Sequence, residues 1–252
     1  MFRFGRKDMK KIVITGGPTN EPIDEVMKIT NMSTGGTSVQ LGHLFCDAGY
    51  NVVLILNNAV PCNERDNMKV VRVETTNDML KALESEAKHD DTDAIIHAAA
   101  VGDYLADFSF LMEDLADEIY KKIGKIESAD DILKIMKNPK CKLDDSSKIS
   151  SYQENLTVKL GLTPKIIGKL RFWYPNTLLV GCKLLENVEK SELFDVASAL
   201  CNKNQMDYIL ANDLADLRAG NPSRYLINKD GFTEMVLKDV DEIFKFVDDK
   251  VN

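Results

Sequence analysis

Asn31, Ser33, Thr34, Gly35 and Gly36 stand together in "ITNMSTGG", just ahead of a stretch with helical spacing. Hydroxyls and glycines at a helix start expose backbone N–H groups and favour an anion, typically phosphate. The same residue types also make an ordinary helix cap. Upstream, "KIVITGG" reads as a strand ending at Gly16-Gly17. The connector after it, "PTNEPIDEVMK", carries two prolines that forbid an immediate helix. Three more expected strand ends carry small or polar groups. "AAAVGDY" has three alanines and a glycine that leave room for a bulky ligand, with the carboxylate of Asp103. The others are Gly181-Cys182-Lys183 and Asn212-Asp213. In a doubly wound sheet, ligands bind at the carboxyl ends of the strands, so these four places are candidates for one site.

Other chemistry finds little support. His43, His89 and His97 are far apart and fit no motif, so each reads as structural. There is no nucleophile elbow and no H-E-x-x-H. "TGGPTNEP" lacks the G-x-G-x-x-G of a dinucleotide loop. "DAIIHAAAVGDY" would suit a reductase strand. The Tyr-x-x-x-Lys spacing that should accompany it occurs only at Tyr225 and Lys229, inside an expected hairpin. A nicotinamide-dependent reductase therefore ranks behind other readings.

Strands are expected at Lys11–Thr15, Asn51–Leu56, Lys69–Val73, Asp93–Ala99, Asn176–Cys182 and Met206–Asn212. Several are near-continuous apolar runs, as in parallel strands covered on both faces. Helices are expected between them at Thr34–Ala48, Thr76–Lys88, Thr163–Phe172 and Val188–Asn204. Thr163 would cap the third of these, with Pro164 at its first position. The alternation predicts an α/β, Rossmann-like, doubly wound and mostly parallel sheet in a single domain over residues 1–252. Tyr104–Ser147 reads as a helical, acidic insertion and Lys148–Leu160 as an extended arm. "RYLINKDGFTEMV" reads as a hairpin, and Asp239–Val251 as a closing helix.

The 252 residues can bury a sizeable core. A net charge of −8 argues against a nucleic-acid or membrane-surface binder. The longest apolar runs are strand-sized, and "MFRFGRKDMKK" lacks the apolar stretch of a secretory signal. Five scattered cysteines without a C-x-x-C suit reduced thiols in a cytoplasm.

Beyond these patterns, "ITGGPTNEPIDEVMKITNMSTGG" resembles the opening of phosphopantothenate–cysteine ligases. The likeness continues through "AAAVGDY", "KISS", "LTPKII", "VGCKLLENV" and "YILAND". "KISS" with "KLLENV" resembles the stand-alone bacterial form. The resemblance implies attack of the acid's carboxylate on a nucleoside triphosphate, giving an acyl-nucleotidylate and pyrophosphate, followed by amide formation with cysteine. It implies Asn31 as the group that holds the intermediate and Lys148 as the essential triphosphate-binding lysine. Gly17, Ser33, Gly35 and Asn212 would meet the acid substrate. Ala99, Asp103, Pro164, Lys165, Ile166, Ile167, Cys182 and Lys203 would meet the nucleotide, with Asp103 also meeting its Mg2+. CTP is favoured over ATP. A cytoplasmic homodimer is implied, with one subunit completing the other's site and no nucleic-acid or membrane partner.

The sequence departs from the family pattern in three places. Met27 stands where an arginine is usual, Ser38 where a glycine is usual, and Cys182 where a phenylalanine is common. Losing the arginine removes a bidentate anion donor that Lys28 could replace only as a point charge. A diverged paralogue that binds a phosphorylated acid or nucleotide without turning it over is therefore a second expectation.

Overall fold

Every residue of Lys11–Gly16 is buried, and the side chains alternate between two cores. Ile12 and Ile14 face one side with Leu54, Leu56, Ile96 and Leu210, while Val13 faces the other with Val53, Ile55, Ile95 and Ile209. A strand covered on both faces needs helices above and below it, and the rest of the chain supplies them. The computed structural model describes residues 9–88 and 91–252, so His89 and the first eight residues lie outside the described residues.

Along the chain the elements are β1 (Lys11–Gly16), β2 (Asn20–Pro22), β3 (Lys28–Thr30), α1 (Gly36–Asp47), β4 (Asn51–Asn57), β5 (Met68–Val73), α2 (Thr76–Ala87) and β6 (Thr92–His97). There follow β7 (Tyr104–Leu111), α3 (Met112–Lys121), a 3-10 turn at Ile123–Lys125, α4 (Ala129–Lys137), β8 (Leu156–Leu162) and α5 (Ile167–Trp173). The chain continues through β9 (Leu178–Leu185), α6 (Lys190–Asn204), β10 (Tyr208–Asp213), α7 (Leu214–Arg218), β11 (Arg224–Asn228), β12 (Gly231–Leu237) and α8 (Val240–Val251).

These elements cluster into two units. The first runs through to Thr19 and takes up Asn31–Val101 and Pro164–Asn252. It holds an eight-stranded sheet in the order β12-β11-β10-β9-β6-β1-β4-β5. The six strands from β10 to β5 in that order pair in parallel, and the β11–β12 hairpin adds an antiparallel edge. The expected doubly wound sheet is thus present, with its hairpin at Arg224–Leu237. Helices α1 and α8 pack on one face through Leu41, Phe45, Ile243 and Val247. Helices α2, α5 and α6 pack on the other through Met79, Leu83, Leu170, Leu193 and Ala197. Strand order reverses between β1 and β6, the crevice where such sheets bind ligands.

The second unit comprises Asn20–Thr30 and Gly102–Thr163. The insertion expected to be helical opens instead with strand β7, which pairs antiparallel with β8 from Tyr104↔Leu162 to Leu111↔Leu156. Its own small core gathers Phe108, Phe110 and Leu115, with Ile119, Ile135 and Cys141 packed against them. The arm expected over Lys148–Leu160 is extended only in its second half, where β8 begins. The first half is held by other means, described below. The connector "NEPIDEVMKIT" forms the short antiparallel pair β2–β3.

The third expected helix also starts late. Thr163 donates its hydroxyl to the Gly102 carbonyl, and its N–H goes to the Asp103 carbonyl at 3.1 Å. Thr163 lies four residues ahead of the helix and does not cap it. Helix α5 begins at Ile167, with no side-chain cap.

Candidate functional site

Small residues let the backbones at the β1/β6 crevice approach closely. Gly17, at φ 80°, receives the Ala100 N–H on its carbonyl at 2.9 Å, and Thr19 returns an N–H to the Ala100 carbonyl at 3.3 Å. Gly35 lies beside Gly17: a Cβ on Gly35 would sit 3.1 Å from the Gly17 nitrogen and 2.8 Å from both Val60 methyls. Asn31 donates its side-chain amide to the Val101 carbonyl at 3.0 Å while remaining exposed. The structure therefore brings Gly17, Asn31, Gly35 and the Ala99–Val101 segment together at the switch point.

Helix α1 starts from this cluster. Its N-cap is Gly35 in the left-handed conformation, no side chain caps it, and its first turn holds no acid. Thr34 offers its hydroxyl to the Gly36 N–H at a long 3.3 Å. Ser33 is half-buried just before the helix. Amides at such an end attract an anion. Ser38, in place of the family glycine, is absorbed by packing: it is buried, and its hydroxyl donates to the Thr15 carbonyl at 3.0 Å.

One floor of the crevice is uncharged. Thr15 Oγ1 lies 2.8 Å from His97 Nδ1 and accepts the Ala99 N–H at 3.3 Å. Burial pushes the His97 imidazole down to about 4, so it is neutral at physiological pH and serves as a structural partner.

The residues expected at the nucleotide lie further along the same sheet. Pro164 and Lys165 are exposed, Ile166 is buried, and Ile167 packs toward Gly181 on β9. Lys203 is exposed in the last turn of α6. The neighbouring Asn204 side chain would be 3.3 Å from a Cβ on Gly168, so Lys203 and the start of α5 belong to adjacent helices. Cys182 packs with the α1/α8 core, on the sheet face opposite Ile166 and Ile167. Burial pushes its thiol up to about 11, against the pull of Arg224. Asn212 is buried on β10, beside Leu184 of β9, and Asp213 caps α7 through the Ala215 N–H.

Asp103 and Lys148 fall in the second unit, both exposed. Among the described residues, Lys148 forms no hydrogen bond or ion pair, so its ammonium is free. Its backbone is not: Asp24 Oδ2 accepts the N–H of the next residue, Ile149, at 2.8 Å.

Two of these residues carry no obvious sequence signal. Arg224 donates to Thr37 Oγ1 at 3.2 Å, which sets a guanidinium beside the first turn of α1 from 187 residues away. No local pattern foretells that meeting. Asp24 closes an Asx-turn on the Val26 and Met27 amides, which local sequence allows, but nothing local foretells its bond to the Ile149 amide.

These features define a class: a doubly wound α/β unit with an anion-attracting helix start at its switch point and a second unit carrying a free lysine. The chain belongs to the DNA/pantothenate metabolism flavoprotein C-terminal domain family, whose profile matches residues 8–141. It is 29% identical over 210 residues to the coenzyme A biosynthesis bifunctional protein CoaBC of Methanocaldococcus jannaschii, covering 83% of this chain and 42% of that protein. The chain thus spans less than half the length of that relative. The crystal structure of the DNA/pantothenate metabolism flavoprotein from Streptococcus pneumoniae superposes with a TM-score of 0.77 at 28% identity, covering 96% of this chain and 98% of that one. A Cab2 variant in complex with phosphopantothenate-cysteine shares the fold, with a TM-score of 0.67 at 16% identity over 96% of this chain and 86% of that one. Among the described residues, no helix is long and apolar enough to cross a membrane.

Proposed function

We propose that the protein is a ligase of coenzyme A biosynthesis that joins 4'-phosphopantothenate to cysteine at the expense of a nucleoside triphosphate. The observation that carries the reading is the convergence of Gly17, Asn31, Gly35 and Ala99 at the β1/β6 crevice. Family membership and the resemblance of "KISS", "LTPKII" and "YILAND" support it.

In the proposed reaction the acid's carboxylate oxygen attacks the α-phosphorus, forming an acyl-nucleotidylate and releasing pyrophosphate. The cysteine amine then attacks the acyl carbon. The nucleoside monophosphate leaves, a proton is lost to solvent, and an amide remains. Gly17, Ser33, Gly35 and Asn212 bind the acid, with the α1 amides on its phosphate. Asn31 hydrogen-bonds the intermediate without adding charge. Lys148 offsets the charge of the triphosphate as the anionic carboxylate approaches it. The same reading assigns the nucleotide to Pro164, Lys165, Ile166, Ile167, Lys203, Ala99 and Asp103, and to the backbone at Cys182, whose thiol lies on the opposite sheet face from Ile166 and Ile167.

Among the described residues, no three His, Cys, Asp or Glu groups gather as metal ligands. A magnesium ion would come with the triphosphate as part of the substrate, with Asp103 as a carboxylate contact. CTP is the proposed nucleotide. A cytoplasmic homodimer is the proposed working form.

Pyrophosphate release tests the proposal in mixtures of CTP or ATP, phosphopantothenate, cysteine and magnesium, with each component omitted in turn. Release that depends on phosphopantothenate and precedes cysteine addition is the expected result. Silence with every nucleotide overturns the ligase reading in favour of a diverged binder, for which Met27 in place of the family arginine is the sequence argument. Tight NADPH binding without nucleotide turnover points to a reductase instead.

A further inference from the structure

Asp24 sits at the tip of the β2–β3 pair, 5% exposed, and both its carboxylate oxygens are engaged. Oδ1 accepts the Val26 N–H at 2.7 Å and the Met27 N–H at 2.6 Å, which closes the turn between the two strands. Oδ2 leaves that turn and accepts the Ile149 N–H at 2.8 Å, 125 residues away. Ile149 is itself buried, 7% exposed, in a run from Asp144 to Tyr152 that is otherwise exposed. No strand holds that run: β8 starts only at Leu156. The residue before Ile149 is Lys148, whose ammonium is free and electrostatically coupled to Asp24.

We infer that Asp24 is a positioning residue for the proposed ligase reaction, a buried anchor that fixes the backbone at Ile149 and so sets where the Lys148 ammonium can reach. The inference rests on the reading of Lys148 as the triphosphate-binding cation. Its physical basis is a charge-assisted hydrogen bond to an amide, roughly twice as strong as a neutral one. Only a carboxylate offers the geometry, since three N–H groups converge on two acceptor oxygens. Those N–H groups, Met27 first and then Ile149 and Val26, with the Lys148 charge, hold the carboxyl below its ordinary range, so the anchor is ionised throughout the working pH range.

Two variants separate the anchor from the turn. In Asp24→Asn, the amide oxygen can still close the turn, but its NH2 meets the Ile149 N–H donor to donor. In Asp24→Ser, the hydroxyl can accept one N–H of the turn but cannot also reach Ile149. The full chain is assayed for hydrogen exchange at the Ile149 amide and for nucleotidylation kinetics. Exchange at Ile149 should quicken about ten- to a hundredfold in both variants, the scale of a lost hydrogen bond to a charged group. The nucleotide KM should rise by about tenfold or more, while phosphopantothenate binding stays near wild type. A merely structural role would not divide the two substrates in this way.

Unchanged Ile149 exchange overturns the anchor. Faster exchange with a wild-type nucleotide KM overturns the positioning role. Lys148→Gln is the control on the underlying reading: it should abolish nucleotidylation while leaving Ile149 exchange as in wild type. Full nucleotidylation by that variant overturns the assignment of Lys148 itself and, with it, the reason to position it.

Discussion

Gly35 is the residue at which sequence, backbone and chemistry meet most tightly. Its φ of 71° lies in the left-handed region, and a Cβ there would meet Val60 and the Gly17 nitrogen. Left-handed geometry costs an alanine about 1–2 kcal/mol, and overpacking about 1–3 kcal/mol more. Gly35→Ala should therefore lose about 2–4 kcal/mol in denaturant unfolding and weaken phosphopantothenate binding by displacing the α1 amides. Retained stability and affinity together would show that the cluster has slack. Asn31 makes a different argument, because its exposed side-chain amide donates to the Val101 carbonyl. Asn31→Asp sets a carboxylate against that carbonyl and beside the proposed acyl phosphate. Pyrophosphate release should survive better than amide formation in single-turnover assays. Equal loss of both steps would remove the intermediate-holding role.

At the scale of elements, the two units differ in how much core supports them. The β7–β8 pair rests on Phe108, Phe110 and Leu115, with Phe108 and Phe110 ring centroids 6.0 Å apart and the Lys142 ammonium 4.5 Å above Phe108. So small a cluster cannot close around a void, and Phe108→Ala should cost about 3–5 kcal/mol. That loss should fall on the second unit. Limited proteolysis should cut within Tyr104–Thr163 while amides of β1, β4 and β6 keep their protection. Simultaneous loss of protection in both regions would mean that the units unfold as one. The same contrast explains what could be read in advance. β1, β4, β6, β9 and β10 are signalled by their own apolar runs, because a strand buried on both faces needs apolar residues along its covered length. β7 is not: Tyr104–Leu111 mixes an acid, Asp107, with aromatics, runs into a helix at Met112, and is a strand only because Leu156–Leu162, far along the chain, pairs with it. The Gly17 and Asn31–Gly35 parts of the site are legible because local chemistry makes them, whereas the Asp24–Ile149 and Arg224–Thr37 meetings depend on tertiary structure. Thr163 likewise bonds the Gly102 carbonyl, a partner 61 residues back that its local sequence does not announce.

For the molecule as a whole, acid stability turns on a buried histidine that the proposed reaction does not use. His97 is buried at the centre of the sheet, with Thr15 Oγ1 on its Nδ1 and an imidazole held at about 4 against an ordinary 6.5. The unfolded chain binds that proton first as pH falls, so stability rises with pH across this window and is lost between about pH 6.5 and 4. The full difference corresponds to about 3 kcal/mol. Carboxylates whose pKa is lowered by the fold act with the same sign but at lower pH. Asp24, Asp78, Glu86 and Asp213 lie below their ordinary 3.8 or 4.5, so their contribution is complete above those values and fades only at lower pH. The range from about pH 5 to 6.5 therefore isolates the histidine. Chemical denaturation at half-unit steps should show wild-type stability sloping through that range. His97→Gln keeps a polar partner for Thr15 but cannot take the proton, so its curve should be flat there and bend only with the acids. A slope of equal size in both proteins would place the titrating group elsewhere and leave His97 as packing alone.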